Sequence, residues 1–257
     1  MHNNLNRFQA FAIHLLISAA ILGSFLTFVY LVWYPQPFFV IEGLENIIWV
    51  LIGVDIVLGP ALTLIVYNTD KPELKRDLLI IVLIQIIGFG YGAQTMYTER
   101  PYFAVIYDSV YFNVLAASQI KNLLEVKDDL APSFFSGPQY VSAKQPKSKE
   151  ALKKILEEMK QGAPSIGENP KYFKPLKGRL NSKWEYSLNL EDLAYNEANR
   201  AIIDGFKQQY GEKVHQFRYF PISGKFTVRI IVIDKDAEEV IDSIDINPTK
   251  TNKSASK

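Results

Sequence analysis

Between Phe8 and Tyr34 the chain carries no Asp, Glu, Lys or Arg, and such a run is longer than the roughly 20 residues that cross a bilayer. A segment of this kind leaves few options, because a chain in hydrocarbon must satisfy every backbone N–H and C=O internally, and a helix does this locally. The run is too long for the core of a cleavable signal, which has about 7–15 apolar residues before a small-x-small site. It continues instead into Tyr30, Trp33 and Tyr34, the residue types that gather at a membrane–water interface. The expectation is an uncleaved transmembrane helix over about residues 8–34. Ala20, Gly23 and Thr27 share one of its faces and would let another helix approach closely.

Two further apolar runs follow, over about residues 44–67 and 78–98. Pro35 and Pro37 end the first span, and the connection after them holds Glu42 and Glu45 but no Lys or Arg. The connection between the second and third spans holds Lys71, Lys75 and Arg76, and Arg7 precedes the first span. Cationic residues mark the cytoplasmic side, so this distribution predicts a cytoplasmic N-terminus and a domain outside the cytoplasm from residue 101 onward.

The second run contains GVDIVLGPALTLIVYN, residues 53–68, with one carboxylate, Asp55, inside apolar sequence. An uncompensated charge at the centre of a membrane helix costs about 2.5–3.5 kcal/mol on insertion scales, so Asp55 is expected to face other helices or to be neutral. Pro60 lacks the N–H that would reach back to Ile56 and disfavours helical geometry at Gly59, which predicts a kink. Asp55, Gly59 and Thr63 are spaced four apart and line one face. Gln85, Gly88, Gly92 and Thr95 form a matching slim, polar stripe on the third span. These stripes predict helix packing within the protein or against a partner helix, with Asp55 bonded to Gln85, to a hydroxyl or to a group on the partner.

Past Glu99 the material changes, with Lys, Glu and Asp spread as in a water-exposed domain. Residues 102–118 predict two strands around a turn at Asp108-Ser109, and a short helical stretch is expected from Gln119. An irregular connection through Pro132, Ser136-Gly137-Pro138 and Lys144 leads to an amphipathic helix at Lys149–Gln161, and residues 163–183 read as loop. A second helix is expected at Leu190–Tyr210 with Asn189 as N-cap. Strands follow at Lys213–Ile222, Lys225–Ile233 and Glu239–Ile246, the middle one with one plainly apolar face of Phe226, Val228, Ile230 and Val232. The tail from Pro248 has nothing large enough to anchor it and is expected to be disordered. The expected fold is thus a three-helix transmembrane domain at 1–100 and an α+β domain at 101–247, its sheet mainly antiparallel with about two helices against it.

Candidate chemistry is sparse. A net charge of +1 with no dense basic stripe argues against nucleic-acid binding, and the absence of cysteine excludes disulfides and thiolate sites. His2, His14 and His215 show no metal-ligand spacing, and no phosphate-binding loop or nucleophile elbow occurs. No enzyme, cofactor or metal site is expected. Asp55 is the one ionisable group whose position demands an explanation.

The stretches GVDIVLGPALTLIVYN, KPELKRDLLIIVLIQ and YGAQTMYTERP, with the aromatic-valine strands directly after them, resemble the TfpX/TfpZ family of type IV pilin accessory proteins. The resemblance implies a bacterial inner-membrane protein with a periplasmic C-terminal domain. Such a protein supports the stability or assembly of one major pilin, without enzymatic activity and alongside other pilus assembly proteins. It directs attention to Asp55, Gly59, Pro60, Thr63, Gln85, Gly88, Gly92, Thr95 and the boundary pair Arg100-Pro101. Two other readings stay open, a membrane-anchored periplasmic sensor or ligand-binding module and a membrane component using Asp55 for proton-linked chemistry. The near absence of cytoplasmic sequence weighs against the sensor.

Overall fold

The computed structural model describes residues 5–107, 110–120 and 126–249. The turn expected at Asp108-Ser109, most of the helical stretch expected after Gln119 and nearly all of the expected tail lie outside these residues. Among the described residues three helices are long and apolar enough to cross a membrane, Arg7–Trp33, Glu45–Val66 and Leu74–Thr98. The chain divides into two units, one of Met1–Trp33 with Gly43–Glu99 and one of Tyr34–Glu42 with Arg100–Lys257.

In the first unit the first span is α1 (Arg7–Phe28) running into a π-helical turn at Val29–Trp33. Asn6 caps it, its side chain accepting from the Gln9 N–H while Gln9 reaches back to the Asn6 N–H. After the short α2 (Phe38–Ile41), the second span is α3 (Glu45–Ile52), a π-helical stretch at Gly53–Leu58 and α4 (Gly59–Val66). The third is the unbroken α5 (Leu74–Thr98). Large apolar side chains point away from the bundle, among them Leu16, Ile65 and Ile87, as suits helices whose solvent is lipid. Trp33 does not join an exposed aromatic belt. It is 2% exposed and packs edge-on against Phe25, Phe28 and Tyr97. The Ala20, Gly23 and Thr27 face of α1 is exposed within the unit rather than packed.

The second unit is built on a seven-stranded sheet in the order β4-β3-β1-β2-β5-β6-β7, comprising β1 (Pro101–Ile106), β2 (Phe112–Ala116), β3 (Gln139–Ala143), β4 (Phe173–Pro175), β5 (Phe217–Ser223), β6 (Val228–Asp234) and β7 (Glu239–Ile244). Neighbours pair antiparallel except β1 with β3 and β2 with β5. β3 and β4 come from stretches expected to be connection and loop; β3 joins parallel to β1, and β4 closes that edge antiparallel to β3.

Both faces of the sheet are buried. β6 shows why: Ile230 and Val232 enter one core with Ile203 and Phe206, whereas Ile231 and Ile233 enter another with Phe112 and Phe220. The expectation of one apolar face on this strand is therefore corrected, and Phe226, assigned to that face, lies exposed outside the strand. α6 (Lys149–Lys160), capped by Ser148, buries Ile155 on the first of these faces, over the β1–β3 half. α7 covers the other half but spans Glu197–Tyr210 with Asn196 as its cap. The preceding Glu191–Leu193 is a separate 3-10 turn whose Glu191 N–H is held by Asn189. The expected helix start at Leu190 is thus replaced by two short-range caps in succession.

Among the described residues no long helix lies on the opposite face. It is covered by residues 176–184 and by the segment that follows the first span, whose Phe38 and Ile41 are almost wholly buried with Ala104, Ile106, Phe220 and Ile231. The Phe226 N–H donates to the Ile41 carbonyl at 2.9 Å. Gly224 is required beside it, since a Cβ there would sit 2.5 Å from the Ile41 oxygen and 2.5 Å from Glu42 Oε1.

Candidate functional site: a polar groove among the three spans

The site begins with a backbone irregularity. In the π-helical stretch the Gly59 N–H reaches Val54 O instead of Asp55 O. The next amide that might serve Asp55 O belongs to Pro60, which has no hydrogen to give. The Asp55 carbonyl is therefore left without a donor from its own helix, a costly condition in hydrocarbon. The third span supplies it: Gln85 Nε2 donates to Asp55 O at 3.2 Å. Gly59 makes room, because a Cβ at that position would run into the Gln85 amide. Asp55, Gly59, Pro60 and Gln85 are thus parts of one joint, and the disturbance expected at Gly59-Pro60 takes the form of a π-helical turn. Gln85 meets the Asp55 backbone rather than its carboxylate.

The first span completes the joint through a residue that sequence reasoning passed over. His14 Nε2 lies 2.7 Å from Gln85 Oε1, where the nitrogen must donate, and His14 Nδ1 lies 2.6 Å from Thr63 Oγ1. The Thr63 hydroxyl is also 3.1 Å from the Gly59 carbonyl. With its proton on Gly59 O, the imidazole donates from both nitrogens as imidazolium; with its proton on Nδ1, the ring is neutral. One chain of hydrogen bonds thereby ties the three spans together. The signal for it was a lone histidine in a run free of Asp, Glu, Lys and Arg.

A cavity of about 470 Å³ opens along this chain. Ile13, Ile17 and Ile21 of the first span and Val82, Ile86 and Phe89 of the third are among its apolar lining, and His14, Ser18, Asp55, Thr63, Tyr67 and Gln85 are its polar positions. Asp55 is 5% exposed, and its Oδ2 is buried with no hydrogen-bond partner among the described residues.

The small-residue stripes lie elsewhere. A Cβ at Gly92 would come 2.5 Å from Leu51 Cδ2, and one at Gly88 3.3 Å from Val54 Cγ1, so both glycines admit side chains of the second span. The Thr95 hydroxyl donates to Tyr91 O on its own helix. Arg100 and Pro101 belong to the sheet unit. The buried Arg100 guanidinium donates to Tyr102 Oη at 2.9 Å and to the carbonyls of Ser133 and Phe134 at 3.2 and 3.1 Å, fixing that loop, while Pro101 opens β1. Among the described residues no three His, Cys, Asp or Glu side chains are grouped to hold a metal ion.

The family described as "Fimbrial assembly protein FimB" matches residues 3–43, which take in the first span with His14 and the Tyr34–Glu42 segment. Three fimbrial assembly proteins of Dichelobacter nodosus are similar to the chain. That of serogroup I is 30% identical over 156 residues, covering 58% of this chain and 60% of its own length. That of serogroup E1 is 31% identical over 130 residues, covering 50% and 49%. That of serogroups C1 and C2 is 32% identical over 110 residues, covering 42% and 83%. The chain thus spans roughly half to three fifths of the first two relatives. No solved structure matches. On the strength of these likenesses, the chain belongs to the fimbrial assembly protein FimB family.

Proposed function

We propose that this chain is a non-enzymatic accessory protein of type IV pilus assembly, of the TfpX/TfpZ kind, that binds its cognate major pilin and supports the pilin's stability or incorporation. In this reading residues 1–100 sit in the bacterial inner membrane with the N-terminus in the cytoplasm, and residues 101–247 form a periplasmic domain. The observation that carries it is the groove of about 470 Å³ lined by all three spans. A pilin waiting in the membrane is a long apolar helix with an extracytoplasmic head, and a lateral groove suits such a helix. Lipid is as apolar as Leu, so association there depends on shape and on placed polar groups. The notches at Gly88 and Gly92 admit side chains of the second span, and in this reading the docking face is the one walled by Ile17, Ile21, Val82 and Ile86.

Deleting the gene and comparing surface pili and total pilin with the parent strain tests this reading. Loss of pili or of pilin, restored by the wild-type gene, is the expected outcome; unchanged piliation and pilin level remove it. Proton-linked chemistry is a second reading, favoured by the His14 hydrogen-bond chain beside Asp55. It predicts that Asp55→Asn abolishes function while the protein stays folded and abundant.

A further inference from the structure

We infer that Asp55 is the acceptor for a hydrogen-bond donor carried on the occupant's membrane helix, a side-chain N–H or O–H placed near the middle of the bilayer. The inference rests on the reading that the groove holds a partner helix, and it names the chemistry that helix must present. Within the groove the Gln85 amide, both His14 nitrogens and the Thr63 hydroxyl already have partners. Among the described residues the buried Asp55 Oδ2 has none. Rotation about the terminal side-chain bond exchanges the two carboxylate oxygens, so either is available to an incoming donor. A carboxylate oxygen without a donor is costly in a medium that offers no water.

Depth identifies the kind of occupant. Asp55 stands near the centre of Glu45–Val66, roughly 15 Å from either end at about 1.5 Å rise per residue. A lipid acyl chain would fill the apolar walls but bring no donor, and lipid headgroups stay at the interface. A side chain on a transmembrane helix reaches that depth.

Photo-crosslinking with benzoylphenylalanine at Val82 or Ile86, in cells co-expressing the cognate major pilin, tests this directly. The wild-type background should yield a pilin adduct. At equal protein level, Asp55→Leu should lower the yield about tenfold or more, because a donor is left buried and unpaired. Asp55→Asn keeps an acceptor oxygen and should stay within about threefold of wild type on the same argument. An adduct that Asp55→Leu leaves unchanged overturns the acceptor role while the groove reading stands. An equal loss in Asp55→Asn and Asp55→Leu also overturns it, in favour of a requirement for charge. No adduct at either position in the wild-type background removes the groove reading and this inference with it. Should Asp55→Leu fail to accumulate, mass-spectrometric mapping of the wild-type adduct decides: a cross-linked pilin residue within one helical turn of a side-chain donor supports the role, and a contact face without one overturns it.

Discussion

The two units of this protein use the same apolar residues in opposite ways. In the three-span unit Ile65 is 74% exposed while Asp55 and Thr63 are 5% and 3% exposed. In the sheet unit Ile231 is fully buried, and ion pairs such as Lys154 with Glu158 stay at the surface. Removing apolar area from water holds the sheet unit together. Between helices in lipid that force is absent, and specific polar contacts and close approach take over. The lesson is that a polar residue in the first unit and an aliphatic one in the second have comparable roles in specifying the structure.

The largest expected effect lies in the sheet unit. Phe38→Ala and Ile231→Ala should cost about 3–5 and 2–5 kcal/mol respectively, whereas Ile65→Ala, the same deletion on a lipid-facing surface, should stay within about 0.5 kcal/mol. Thermal unfolding of the detergent-solubilised protein with a reporter in each unit measures this, and equal losses for Ile231→Ala and Ile65→Ala would break the contrast. Gly224→Ala comes next. Its Cβ would press on the Ile41 carbonyl and Glu42, costing about 1–3 kcal/mol as overpacking does, and protease cleavage within residues 34–42 should quicken.

Smaller effects belong to the polar joint. Gln85→Leu should cost about 0.6–1.7 kcal/mol, the range of hydrogen bonds between membrane helices. Pro60→Ala restores an N–H next to the abandoned Asp55 carbonyl, so the double variant should lose less than the Gln85→Leu protein alone does relative to wild type. A strictly additive double-mutant cycle would separate Pro60 from the joint. The last effect appears only at alkaline pH. Burial pushes the Tyr219 phenol up to about 12, above its unfolded value of about 10. Its contribution is fully present below pH about 10 and is lost as pH rises toward about 12, because the unfolded chain releases the proton first. Tyr219→Phe should flatten that part of the stability–pH curve.

Much of this architecture can be read in the sequence. The uncharged runs mark all three spans to within a few residues because hydrocarbon imposes the same requirement at every position. β1, β2 and the β5–β7 meander follow from β-branched and aromatic runs separated by turns. The strands that escape are β3 and β4, which are short and polar at several positions and acquire strand geometry only from their neighbours. Phe38 and Ile41 look like the edge of a membrane segment, and only tertiary contact identifies them as core. At the site, the face shared by Asp55, Gly59 and Thr63 is visible from spacing. His14 is separated from Thr63 and Gln85 by 49 and 71 residues, so no local pattern joins them. The orphaned Asp55 carbonyl depends on a π-helical turn, which has no simple sequence signature.

The central claim is that the face walled by the first and third spans receives a pilin helix. Photo-crosslinkers placed one at a time at Ile17, Ile21, Val82 and Ile86 of the groove, and at Ile65 and Leu79 as lipid-facing controls outside its lining, test it most directly in cells making the cognate pilin. The account predicts pilin adducts from the groove positions and none from the controls. Adducts of equal yield from both sets, or from the controls alone, would contradict it.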